Sequence, residues 1–187
     1  DVIRYKKGKN QIECKTYGQL KADSEKFSAV LKTLGEHGKH IALTGMTTYE
    51  WITAYLGITG SGSVAVPLDV SLPADEMCEL IDRADATVFV ADEIRAYVIA
   101  VVKERCPQLK YVISMQKAES ADGIYSFWEL MNAEEAGFSC DLQPDQLATI
   151  MFTSGTTGKS KGVMLTHRNL AENATCLDMK IPEDTVL

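Results

Sequence analysis

Four short apolar runs recur at near-constant spacing and restrict what this chain can fold into more than any other feature of it. They are IALT from Ile41, VAVP from Val64, VFVA from Val88 and YVIS from Tyr111, whose starts lie 23, 24 and 23 residues apart. Each is mostly apolar instead of alternating, which is the pattern of a strand covered on both faces. Amphipathic stretches separate them, and a strand–helix alternation of this kind predicts an α/β fold with a parallel sheet flanked by helices. A leucine-rich solenoid has a similar period, but its fixed Leu and Asn positions are missing. With 45% hydrophobic residues among 187, the chain has the material for a real core.

The intervening helices carry start signals. Thr47 and Glu50 fit a capping box ahead of an apolar face of Trp51, Ile52, Tyr55 and Leu56. Pro73 suits a first helical turn, and Met77, Leu80, Ile81 and Ala84 then recur at the three-and-four spacing of a buried stripe. Asp92 caps the next helix, with Ile94, Val98, Val101 and Val102 expected inward. Upstream, residues 2 to 17 read as a polar hairpin, followed by a helix marked by Leu20, Phe27, Val30, Leu31 and Leu34 that ends near Gly35 or Gly38. Downstream, Ser126 and Glu129 fit a second capping box around Phe127, Trp128 and Leu130, and Gly137 to Pro144 reads as a connector. The expected organisation is an N-terminal α/β subdomain over residues 1–143 and the start of a second over 144–187.

Charge and composition exclude several function classes. The 26 acidic residues outnumber the 19 basic ones, giving a formal net charge of -7 and no field that would draw nucleic acid or an anionic membrane. The cluster Arg4, Lys6, Lys7 and Lys9 reads as a solvated hairpin end. Five scattered cysteines make no chelating pair and point to reduced thiols in the cytoplasm, with Cys78, Cys106 and Cys176 expected to serve as small hydrophobes. No apolar run reaches the roughly 20 residues of a membrane span.

The chemistry concentrates after the strand LATIMF at 147 to 152. The next ten residues, TSGTTGKSKG, contain three glycines, three threonines, two serines and two lysines. Gly155 and Gly158 allow close backbone approach, so that successive amides can face phosphate oxygens. Ser154, Thr156 and Thr157 add hydroxyl donors, and Lys159 and Lys161 add charge. A Walker-type P-loop nearly fits, since Gly158, Lys159 and Ser160 spell GKS, but its first glycine is replaced by Thr153 and a helix should start at its lysine. KGVMLT at 161 to 166 is instead a β-type run, and a helix begins only after the capping residue Thr166, with Leu170, Ala174 and Leu177 as its stripe.

TSGTTGKSKGVMLTHRNL at 153 to 170 resembles the signature of the adenylate-forming superfamily, which includes acyl-CoA synthetases, luciferases and peptide-synthetase adenylation domains. YEWITAYLGITGSGSVAVPLDVSLPADEM at 49 to 77 is similar to a second block of that family, and the two together span most of the chain. The resemblance implies the incomplete N-terminal domain of an acyl-CoA synthetase. It implies that Thr153, Ser154, Gly155, Thr156, Thr157, Gly158 and Lys161 embrace the β and γ phosphates of ATP, and that Thr156 approaches magnesium. Lys159 is assigned to the same phosphates, at a position that the family leaves variable. Ser160 departs from the family, which usually has proline before this lysine. Losing the ring loosens the unliganded loop by about 0.4–1 kcal/mol of chain freedom. His167 and Arg168 fall in the MLTH segment, where a capped helix start explains polar residues without catalysis.

For function, the resemblance implies activation of a carboxylic acid by ATP and transfer of the acyl group to CoA, the similarity of VMLTHRNL to fatty-acyl members pointing to a fatty acid. The adenine and acid pockets, the magnesium-binding glutamate, the ribose-binding aspartate and the C-terminal lid with its catalytic lysine have no candidates here. The chain is therefore expected to be a fragment, with no catalytic residue of its own and inactive alone. A P-loop kinase or ATPase, a peptide-synthetase-like adenylation domain and a non-catalytic α/β module stay open as alternatives.

Overall fold

The computed structural model describes residues 2–7, 11–153 and 160–176. A two-stranded antiparallel hairpin, β1 (Val2–Lys7) and β2 (Gln11–Thr16), leads into α1 (Tyr17–Thr33). Thr16 and Gln19 close a reciprocal capping box at the start of α1, and Gly35, at φ 72°, takes the left-handed turn that ends it. Next in the chain come β3 (His40–Thr44), α2 (Tyr49–Gly60), β4 (Val64–Leu68), α3 (Ala74–Arg83), β5 (Ala86–Ala91), a 3-10 turn at Glu93–Arg95 running into α4 (Ala96–Arg105), β6 (Tyr111–Ser114), β7 (Tyr125–Ser126) and α5 (Phe127–Asn132). The described residues close with β8 (Leu147–Thr153), β9 (Lys161–Thr166) and α6 (His167–Thr175).

Seven strands form one sheet in the order β7-β6-β5-β3-β4-β8-β9, parallel throughout except for the antiparallel pair β8 and β9. All four apolar runs are strands of it. Alternate residues feed two cores, which is why the runs are apolar on both sides. Val66, Phe89 and Val112 point toward α3 and α4, together with Met77, Leu80, Ile81, Val98 and Val102. Ile41, Leu43, Val88, Val90 and Ile113 point the other way, against Phe27, Leu31, Ile58 and Phe127 from α1, α2 and α5. Each such side chain, fully buried, contributes about 1.5–3 kcal/mol. At the amino edge of the sheet the buried Glu36 carboxylate accepts from Thr87 Oγ1 at 2.6 Å and Lys110 Nζ at 2.7 Å.

Several local expectations are corrected. The cap of α2 is Thr48, whose Oγ1 accepts from Trp51 N, and Thr47 and Glu50 form no box. Tyr49, Thr53, Ala54, Gly57 and Ile58 face inward, Trp51, Ile52 and Tyr55 are half-buried, and Leu56 is exposed. Close packing on α1 decides this: the helices meet where only a glycine fits. Ser28 Oγ donates to the Gly57 carbonyl at 2.7 Å across the contact. Asp92 does cap its turn through Ile94 N, but that turn is 3-10, which swings Ile94 to solvent and leaves Val98, Ile99 and Val102 inward. Ser126 caps α5, yet Glu129 turns away to accept from Ser120 N at 2.7 Å, while Ser126 N donates to Ser120 Oγ. Cys78 and Cys106 are buried as expected, and burial pushes the Cys106 thiol up to about 12, but Cys176 is exposed. Such a buried thiol is an inert packing group.

The α1–α2 contact yields a measurable consequence. A Cβ on Gly57 would lie 2.8 Å from both the Ser24 carbonyl oxygen and Phe27 Cβ. Alanine gains about 1 kcal/mol of helix propensity over glycine but forces two helices apart at a cost of about 1–3 kcal/mol. Gly57→Ala is therefore expected to lower the urea midpoint of unfolding, and a raised midpoint would show that the helices separate freely.

Candidate functional site

Because β8 runs parallel to β4, it brings Thr153 to the carboxyl edge of the sheet, the edge where β3, β4 and β5 also end. The position of β8 is set by Ala65 pairing with Thr149, by Thr149 Oγ1 donating to the Ala65 carbonyl at 2.8 Å, and by Gln146 Nε2 donating to the Gly62 carbonyl at 3.1 Å. Phe152 then pairs with Gly162, and Thr153 with Lys161. Thr153 and Lys161, the two described members of the set expected to hold phosphate, thus stand directly opposite each other at the root of a hairpin. Ser154, Gly155, Thr156, Thr157, Gly158 and Lys159 lie outside the described residues, as does the magnesium contact assigned to Thr156.

Lys161 opens a strand, and α6 begins six residues after it, at His167. The Walker alternative needs a helix running on from Lys159, and the described residues 161–166 are a strand instead. Gly162 has a packing reason: a Cβ there would sit 3.1 Å from Ile150 Cγ2. Thr166 caps α6 in a box with Asn169.

A cleft of about 420 Å³ opens beside the hairpin root. Pro67, Leu68 and Asp69 line it from the end of β4, Glu76 and Leu80 from α3, and Phe152, Thr153 and Ser160 from the hairpin. Backbone and side-chain hydrogen bonds from Ser71 hold the Asp69 carboxyl below its usual range, so it stays anionic. Sequence reasoning missed Arg83. From the end of α3 its guanidinium lies over the Phe152 ring, 5.3 Å from the centroid, and donates to the Ser160 carbonyl at 2.8 Å. No sequence pattern signals a contact between residues so far apart in the chain. A second hollow, of about 390 Å³, lies between α1, α2 and residues 138–140 and includes neither Thr153 nor Lys161. Among the described residues no group of His, Cys, Asp and Glu could hold a metal ion, and no helix is long and apolar enough to cross a membrane.

His167 and Arg168 dock the start of α6 on the connector. Their amides donate to the Gln146 and Pro144 carbonyls at 3.1 and 2.8 Å, and Arg168 Nε pairs with Asp145 Oδ1 at 2.9 Å. His167 Nε2 is buried with no partner among the described residues, and burial lowers the pKa of the ring.

The AMP-binding enzyme family model matches residues 5–187. A 3-[(3aS,4S,7aS)-7a-methyl-1,5-dioxo-octahydro-1H-inden-4-yl]propanoyl:CoA ligase of Rhodococcus jostii is 29% identical over 175 residues, which is 82% of this chain and 33% of that protein. A D-alanine--D-alanyl carrier protein ligase of Streptococcus pyogenes is 30% identical over 159 residues, covering 84% of this chain and 28% of that one. The crystal structure of ATP-bound MatB from Rhodopseudomonas palustris superposes with a TM-score of 0.72 at 29% identity, over 87% of this chain and 31% of its own. The chain thus spans about a third of the length of the curated relatives it matches.

His167 gives this region a pH signature. Above its ordinary value of 6.5 the ring is neutral folded or unfolded; below it the unfolded chain takes up a proton that the buried ring resists. Stability is complete above that value and is lost as pH falls toward the lower folded one. Between about pH 8 and about pH 5.5 the urea midpoint of the wild type is expected to fall further than that of His167→Gln. Equal falls would show the ring to be solvated.

Proposed function

This chain belongs to the AMP-binding enzyme family, and on that premise we propose that residues 153–161 hold the β and γ phosphates of ATP in a ligase that activates a carboxylic acid and passes its acyl group to CoA. The observation that carries the proposal is the hairpin root itself, with Thr153 opposite Lys161 at the carboxyl edge of the sheet, bracketing a segment dense in glycine, hydroxyls and lysine.

In the first step a carboxylate oxygen attacks the α phosphorus of ATP, a new P–O bond forms, and the bond to the β phosphate oxygen breaks to release pyrophosphate. Negative charge grows on that leaving group. Amides of residues 154–158, the hydroxyls of Thr153, Ser154, Thr156 and Thr157, and the ammonium groups of Lys159 and Lys161 offset it, while their grip on the triphosphate tail keeps the α phosphorus in line. Magnesium travels with the nucleotide, with Thr156 its proposed protein contact. In the second step a thiol that has given up its proton to solvent attacks the acyl carbon through its sulfur, the bond from that carbon to the phosphate oxygen breaks, and AMP leaves with the bonding pair.

The relatives support the adenylating half of this scheme more strongly than the choice of acceptor, since one is a CoA ligase and another a carrier-protein ligase. A fatty acid is the proposed substrate, from the sequence of β9 and α6. A second subdomain beginning at 144, a cytoplasmic location, and the need for further parts to complete catalysis belong to the same proposal.

Calorimetric titration tests the phosphate contact. The wild type is expected to bind ATP with pyrophosphate as competitor, and Lys161→Ala to bind about tenfold more weakly. No binding by the wild type, or equal binding by the variant, would overturn the assignment.

A further inference from the structure

Arg83 is placed to do for the loop what its sequence leaves undone. The residue before Lys161 is Ser160, where the resembled family has proline, so the return path into β9 lacks the ring that would fix its backbone. Arg83 reaches that same residue from α3. Its guanidinium lies against the Phe152 ring at 5.3 Å from the centroid and donates to the Ser160 carbonyl at 2.8 Å. Phe152 is the last residue but one of β8, and Ser160 immediately precedes β9. One flat cation therefore touches both arms of the hairpin root and joins them to the α/β body, 77 residues earlier in the chain.

We propose that Arg83 is a positioning residue, a tether through the Ser160 carbonyl and the Phe152 ring that orders the hairpin root in place of the missing proline ring. Its functional effect rests on the phosphate reading, but the tether itself does not. A guanidinium suits the task because its planar face stacks on an aromatic ring while its edge still donates. Glu79, one turn earlier on α3 and 3.7 Å from Arg83 Nη1, holds the side chain on this side of the helix.

The test is a double-mutant cycle between Arg83→Ala and Ser160→Pro, with two readouts. Arg83 is exposed, so its truncation leaves the core intact. In the wild-type background Arg83→Ala is expected to raise amide hydrogen exchange at Lys161 and Gly162 about threefold or more, and to weaken ATP binding about two- to tenfold. In the Ser160→Pro background both effects shrink to less than about half, because the ring already supplies the order. Arg83→Lys keeps the charge without the flat stack and is expected to behave like Arg83→Ala.

Equal effects of Arg83→Ala in the two backgrounds would overturn the tether. Wild-type ATP affinity in Arg83→Ala would overturn the functional effect of the tether, and an Arg83→Lys chain that binds and exchanges like the wild type would overturn the part given to the flat stack. A wild type that binds no ATP but shows the expected exchange pattern would overturn the phosphate reading and uphold the tether.

Discussion

The attachment of β8 to β4 decides where the root of the β8–β9 hairpin lies. Thr149 is wholly buried and does two jobs there: its backbone pairs with Ala65, and its hydroxyl donates to the Ala65 carbonyl. A hydroxyl in an apolar layer costs free energy unless it is bonded, so this contact fixes β8 in one register instead of merely adding area. From that register Phe152 comes to face the α3 side, Thr153 reaches the carboxyl edge, and Lys161 is drawn opposite it. Shifting β8 by one residue would reverse the faces of Ile150, Met151 and Phe152 and move the hairpin off the cleft.

Much of the fold was legible because both faces of the sheet are covered. Strands in that setting have to be apolar throughout, and the four runs could hardly have been anything else once helical stretches separated them. The helix faces were less legible, for reasons particular to each. On α2 bulky side chains fall on both sides, Tyr49 and Ile58 buried, Trp51 and Tyr55 half-buried and Leu56 exposed, because the close approach of α1 is centred on Gly57. Bulk misleads where two helices pack closely. At Ile94 the periodicity was sound, but a 3-10 turn has a different angular step. At Glu129 a nearer donor, Ser120 N, won the carboxylate.

The candidate site divides the same way. Composition and order after LATIMF were sufficient to nominate the segment and to expect a strand behind it, and β9 is that strand. Arg83, Asp69 and the cleft were not legible, since each depends on how α3 and the end of β4 lie against a hairpin formed some 70 to 90 residues later. The family match is consistent with this division. The CoA ligase and the carrier-protein ligase differ in acid and acceptor by name, and this chain matches about a third of each.

The Glu36 cluster at the far edge bears on how such a chain comes together. The carboxylate is almost wholly enclosed, and its partners, Thr87 and Lys110, lie 51 and 74 residues downstream. A buried carboxylate stripped of its partners costs on the order of several kcal/mol. The corner between α1 and β3 therefore gains its full stability only after β5 and the approach to β6 have been synthesised and docked. The turn itself is short, but what holds its carboxylate is shared with parts of the sheet that lie far along the chain.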